Sequence, residues 1–159
     1  MSFANSGSPP GHLPAARAVP VGGSKLLRAT DHDQVTIVAA GVTVHEALKA
    51  AGRLSELLIN ARVIDLYSIK PVDRAALLEA AEMTGRIITV EDHWPEGGLG
   101  DAVLDAFTDG QRGGSPMPHI TKLAVRDMPA SATPDEQLHA AGIDADAIVA
   151  AARQAVEVI

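Results

Sequence analysis

The sequence predicts a parallel α/β sheet covered by helices on both faces, and three observations carry that prediction. Apolar β-branched runs alternate with stretches of helical period along the chain. The strand-like runs carry apolar residues on both sides, as a sheet buried on two faces requires. The links between runs are short, and no internal repeat of about 20 to 50 residues underlies the alternation.

The pattern becomes regular at residue 24. "SKLLRA" reads as a short edge strand, and "QVTIVAAG" as a buried strand closed by Gly41. "TVHEALKAAGRLSELL" follows, with Val44, Ala47, Leu48, Ala51, Leu54, Leu57 and Leu58 at helical spacing. Thr43 and Glu46 fit the T-x-x-E capping box, in which each side chain satisfies a free backbone donor at the helix start. "NARVIDLYSI" is the next strand, and "DRAALLEAAEMTG" a helix with Asp73 as its N-cap and Gly85 as its stop. "RIITVED" is a strand and "GLGDAVLDAFT" a helix. "GQRGGSPMP" is a turn-rich loop and "HITKLAVRD" the last strand. "PDEQLHAAG" is a helix opened by Thr133 and Pro134, with Glu136 completing a second capping box. "DADAIVAAARQAVEVI" is helical to the end of the chain.

The 159 residues suit one domain with a sizeable core. Aromatic residues make up only 3% of the chain, so Ala, Val, Ile and Leu must build that core. A formal net charge of -7 argues against nucleic acid and anionic membranes as partners, since both are met by Lys and Arg. With no cysteine, disulfides and thiolate catalysis are excluded, and a zinc site would have only His and carboxylates to use. "MSFANSGSPPGHLPAARAVPVGG" has neither the basic start nor the apolar stretch of a signal peptide. Its Ser, Gly and Pro content predicts a flexible arm over residues 1–20, ahead of a domain spanning 21–159.

In an open parallel sheet, ligands sit beyond the carboxyl ends of the strands. Gly41, Lys70 and the segment from Glu91 to Gly100 lie there, which makes "EDHWPEGGLG" the candidate site. Its glycines and helix start fit an anion. From Arg86 to Asp109, however, one base faces six acids (Glu91, Asp92, Glu96, Asp101, Asp105, Asp109), a net of -5 that repels phosphate. A tight turn with close helix–sheet packing is the preferred explanation of Gly97, Gly98 and Gly100. Dinucleotide binding fails because Val103 stands where the third glycine of G-x-G-x-x-G belongs. Glu91, Asp92, His93 and Glu96 supply metal-ligating groups, yet neighbours in extended chain point to opposite sides. "VHEALK" resembles the start of a zinc-protease helix, but Lys49 replaces its second histidine. Acid–base work by Glu91, Asp92 and His93 stays open, although no nucleophile accompanies them. Trp94 beside Pro95 is either an interface anchor or a lid over the domain's own core.

"QVTIVAAGVTVHEALKAA", "ARVIDLYSIKPVDRAALLEAA", "GRIITVEDHWPEGGLGDAV" and "GIDADAI" resemble, in order and spacing, the C-terminal domain of transketolase. The resemblance runs from about Val21 to the end. The D-x-x-x-I-K-P and E-D-H-x-x-E-G-G-x-G segments belong to a wider thiamine-diphosphate enzyme group. That group includes 1-deoxyxylulose-5-phosphate synthase and the β-subunits of 2-oxoacid dehydrogenases. H-E-A-L after the buried strand and the closing G-I-D point to transketolase within it. The resemblance implies a three-layer α/β/α domain on a five-stranded mixed, mostly parallel sheet, its first strand an antiparallel edge. It also implies a full enzyme of three domains that transfers ketol units between sugar phosphates. The first two domains hold thiamine diphosphate and magnesium and supply the catalytic residues. The third helps to organise the homodimer and adds little chemistry.

No G-D-G…N cofactor motif is present; the one Asp-Gly pair, Asp109-Gly110, follows Thr108 and no matching Asn comes after it. The expectation is therefore a cytoplasmic chain without catalytic, cofactor-binding or metal-binding residues of its own, partnered by the upstream domains. Glu91, Asp92, His93, Trp94, Glu96, Gly97, Gly98, Gly100, Gly41 and Lys70 are expected to form an interface or a regulatory-ligand loop. The alternatives are a stand-alone module for a small ligand or protein, or the matching domain of either related enzyme.

Overall fold

The computed structural model describes residues 19–108, 117–128 and 130–157. Most of the expected arm, the "GQRGGSPMP" loop up to Pro116, and Asp109-Gly110 lie outside the described residues.

The elements run in the order β1 (Lys25–Arg28), β2 (Val35–Ala39), α1 (Thr43–Glu56), β3 (Ala61–Asp65), α2 (Arg74–Thr84), β4 (Arg86–Val90), α3 (Leu99–Thr108), β5 (His119–Leu123), α4 (Pro134–Ala140) and α5 (Ala145–Glu157). The strands form one five-stranded sheet in the order β1-β3-β2-β4-β5. β1 pairs with β3 antiparallel through Lys25–Asp65 and Leu26–Ile64, and every other pair is parallel. The sheet is thus mixed with an antiparallel edge, as the resemblance implied. A register shift between Leu26 and Arg28, with Lys and Arg on the strand, protects that edge from further pairing.

Alternation along the central strands feeds two separate cores. Ile37, Ala39, Val63 and Ile88 pack with α1 and α5 on one face. Val38, Ile64 and Ile87 pack with α2 and α3 on the other. Side chains of period two on fully buried strands dictate this division, which makes the domain three-layered. Both cores are aliphatic apart from Phe107, which is 5% exposed at the end of α3.

Local signals decide some helix ends and tertiary contacts decide others. Asp73 caps α2 by accepting from the Ala76 N–H at 3.2 Å, and Gly85 ends it in the left-handed region at φ 63°. Thr133 and Glu136 form the predicted capping box on α4. The capping box expected at Thr43 and Glu46 does not form. Val42 takes the N-cap position of α1 without a side-chain bond. The Thr43 hydroxyl is drawn between the carbonyl oxygens of Ala40 and Val90, 2.9 Å from each. Glu46 serves a different helix: its carboxylate accepts from the Ala145 N–H at 2.9 Å, at the start of α5. Of the apolar positions predicted to face the core from α1, Leu48, Leu57 and Leu58 are exposed. The helix stops at Glu56, and Leu58 turns the chain at φ 61°.

Candidate functional site

The segment after β4 is shaped first by continued pairing with β5. The Glu91 N–H donates to the Leu123 carbonyl at 3.0 Å, and the Val125 N–H to the His93 carbonyl at 3.0 Å. This extension keeps Glu91 inside the fold, at 4% exposure. Its carboxylate meets the start of α3, accepting from the Leu99 N–H at 2.6 Å and the Gly100 N–H at 3.0 Å. A helix start carries free donors and partial positive charge, so it favours an anion. Here the protein's own carboxylate is that anion. The glycines permit the approach: a Cβ on Gly98 would stand 1.8 Å from Glu91 Oε2, and one on Gly100 would stand 3.0 Å from Oε1.

Lys122, on β5, locks the outer part of the loop. Its ammonium donates to the Pro95 carbonyl at 2.8 Å and to Asp101 Oδ1 at 2.6 Å. Asp101 Oδ2 accepts from the Gly97 N–H at 2.6 Å, and Gly97 adopts φ 73°. The hydrogen bond from Lys122, then that from Gly97, hold the Asp101 carboxyl below the usual carboxylate range. Nothing in the loop's own residues names Lys122. The available signal was charge: six acids call for a cation, and Lys122 is the one lysine in the strand that follows.

The loop crosses the sheet's carboxyl edge and leaves a groove on either side. On the α1 and α5 side, a groove of about 460 Å³ gathers Asp92, His93 and Trp94 with Val125, Leu138 and Ile143. On the α2 and α3 side, a hollow of about 380 Å³ gathers Lys70 with Gly97, Gly98, Asp101 and Asp105. The predicted residues therefore divide into three sets. Glu91, Gly98 and Gly100 form the buried hinge of the loop, Asp92 to Trp94 face α4, and Lys70 faces Gly97. Gly41 stands in neither groove; its φ of 62° turns the chain into α1. Glu96 is exposed and lines neither.

Glu91, Asp92, His93 and Glu96 do not converge as metal ligands. Among the described residues, ligand atoms gather instead at His139, Asp144 and Asp146, within 4.8 Å of one another. Each carboxylate there has structural work: Asp144 accepts from the Ala147 N–H and pairs with His139, and Asp146 pairs with Arg53. No helix among the described residues is long and apolar enough to cross a membrane.

The sequence matches the family model for transketolase, C-terminal domain, over residues 24–148. It is 48% identical over 134 residues to transketolase from Homo sapiens, which covers 84% of this chain and 21% of that protein. It is 46% identical over 134 residues to transketolase-like protein 1 from Mus musculus, with 84% and 22% covered. A split-gene transketolase described as an inactive β4 tetramer superposes with a TM-score of 0.77 at 38% identity, over 91% of this chain and 45% of that one. Transketolase from Campylobacter jejuni superposes with a TM-score of 0.60 at 14% identity, over 84% of this chain and 18% of that one, a likeness of fold alone. This chain spans about a fifth of the length of the curated relatives it matches, 21% in the human case. The chain belongs to the family of transketolase C-terminal domains.

Proposed function

We propose that this chain is the organising domain of a transketolase and does not itself perform ketol transfer. One observation carries the reading: the start of α3, the place where this fold would cradle a phosphate, is filled by Glu91. A diphosphate with magnesium does not fit there. Two of the donors it would use are taken, and Asp92, Glu96 and Asp105 surround the edge with exposed negative charge. Thiamine diphosphate belongs, in this reading, to upstream domains that the chain meets through the 91–98 loop. Exposed acids on that loop suit basic groups on a partner domain or on the second subunit of a homodimer. In this reading the domain comprises residues 21–159, and the assembly works in the cytoplasm.

Calorimetric titration of the chain with thiamine diphosphate and magnesium tests the reading, alongside a coupled assay with ketose and aldose phosphates. The expected result is no saturable heat and no turnover. Tight cofactor binding or unaided turnover would overturn it. A stand-alone ligand-binding module is the second reading, favoured by the groove at Trp94. A thermal-shift screen with sugar phosphates separates the two: stabilisation of the isolated chain by one of them would support the module.

A further inference from the structure

We propose that the groove between Trp94 and α4 binds a small cationic aromatic molecule, its ring on the indole and its positive group at Asp92.

Topology places the groove. β2 lies between β3 and β4, and the chain leaves β2 toward one neighbour and returns on the other side of it. The crevice beyond the carboxyl ends of β2 and β4 is thus the switch point of the sheet, the usual ligand position in open α/β folds. Val42, just before α1, and the loop after β4 flank it. Its volume of about 460 Å³ falls in the range of small-molecule sites. A smaller hollow of about 170 Å³ shares Val125, Met128, Gln137 and Ala141 with it and extends it past Met128.

The lining states what chemistry fits. Val125, Leu138 and Ile143 offer an apolar floor. Trp94 is 46% exposed and Met128 87% exposed, so a flat aromatic face and a polarisable thioether stand open beside that floor. α4 has no fully buried residue and touches the core through Leu138, so it borders the hollow rather than filling it. No Lys or Arg lines either hollow, whereas Asp92, Asp127 and Glu136 do. Glu136 is engaged in the α4 cap, but Asp92 enters no ion pair among the described residues. An anionic ligand meets those three carboxylates with only neutral donors such as His93 and Gln137 to offset them. A ring bearing an ammonium or amidinium gains the indole face, cation–π attraction and the Asp92 charge together.

Trp94 is the only tryptophan, so its fluorescence reads the groove directly. The titration uses 2-phenylethylamine, 2-phenylethanol and 3-phenylpropionate at pH 8. The amine is expected to give a saturable change, about five-fold tighter than the alcohol and at least ten-fold tighter than the carboxylate. Asp92→Asn is expected to bring the amine down to the level of the alcohol. Amide shift mapping on the unsubstituted chain is expected to place the amine at Trp94, Val125 and Ile143, which keeps the test independent of how any variant folds. The proposal fails if the amine shows no saturation by about 10 mM, the weak end of fragment affinity. It fails equally if the carboxylate or alcohol binds as well as the amine, or if the shifts cluster elsewhere, such as at Lys70.

Discussion

Glu91 lies between two glycines and a helix start, and its geometry sets the stakes at the scale of single residues. Two N–H groups of α3 depend on its carboxylate. A buried donor left without a partner costs about 1–3 kcal/mol. Glu91→Ala is therefore expected to destabilise the chain by about 2–4 kcal/mol in urea unfolding, since both donors lose their acceptor and the packed side chain is removed. Gly98→Ala is expected to have a comparable effect by the opposite route, because its Cβ would collide with Glu91 Oε2. Gly100→Ala is expected to destabilise as well, since its Cβ would stand 2.5 Å from Lys122 Cε and displace the ammonium from Asp101. The sequence made the glycines legible as a close approach of helix to sheet. It did not reveal what approaches them, because Glu91 lies 8 and 9 residues from the groups it serves.

At the scale of elements, cap chemistry was readable where it is local. Asp73 and Thr133 act within three residues of themselves, and both caps form as expected. Thr43 and Glu46 carry the same spacing, yet the strand ends and α5 compete for them and win. α4 is the weakest-packed helix, and its turn into α5 is fastened by His139, whose Nδ1 stands 2.6 Å from Asp144 Oδ2. The hydrogen bond and charge of Asp144 raise the His139 pKa above the ordinary value. Burial pushes Asp144 up, but the Ala147 N–H and His139 outweigh it and hold the carboxyl below its ordinary range. The signs give a window. The histidine's contribution is full below about pH 6.5, its ordinary pKa, and fades as pH rises through the folded value. The aspartate's contribution is full above about pH 4, its ordinary pKa, and fades as pH falls through the folded value. His139→Gln is thus expected to lower Tm at about pH 5.5 and to have almost no effect near pH 9, by thermal scans across that range.

The whole molecule is one sheet with two cores, and the cores share their strands. Val38 faces α2 and α3 while Ile37 faces α1 and α5, so losing either helix layer strips the same strand. Unfolding in urea is therefore expected to be a single transition. Trp94 fluorescence and far-UV circular dichroism should give the same midpoint, and two separated midpoints would mean that the faces are uncoupled. The sequence by itself determined the alternation of elements and the two-sided burial of the strands, because period and local caps are properties of neighbouring residues, and its ordered motifs carried the resemblance to the family. Only the tertiary structure decided that Glu91 fills the start of α3, that Lys122 locks the loop, and that the predicted site residues part into a buried hinge and two grooves, with Gly41 and Glu96 outside them. Those outcomes depend on groups brought together by the crossing of β4 to β5 and by the packing of α4 beside it, at separations along the chain that no local pattern encodes.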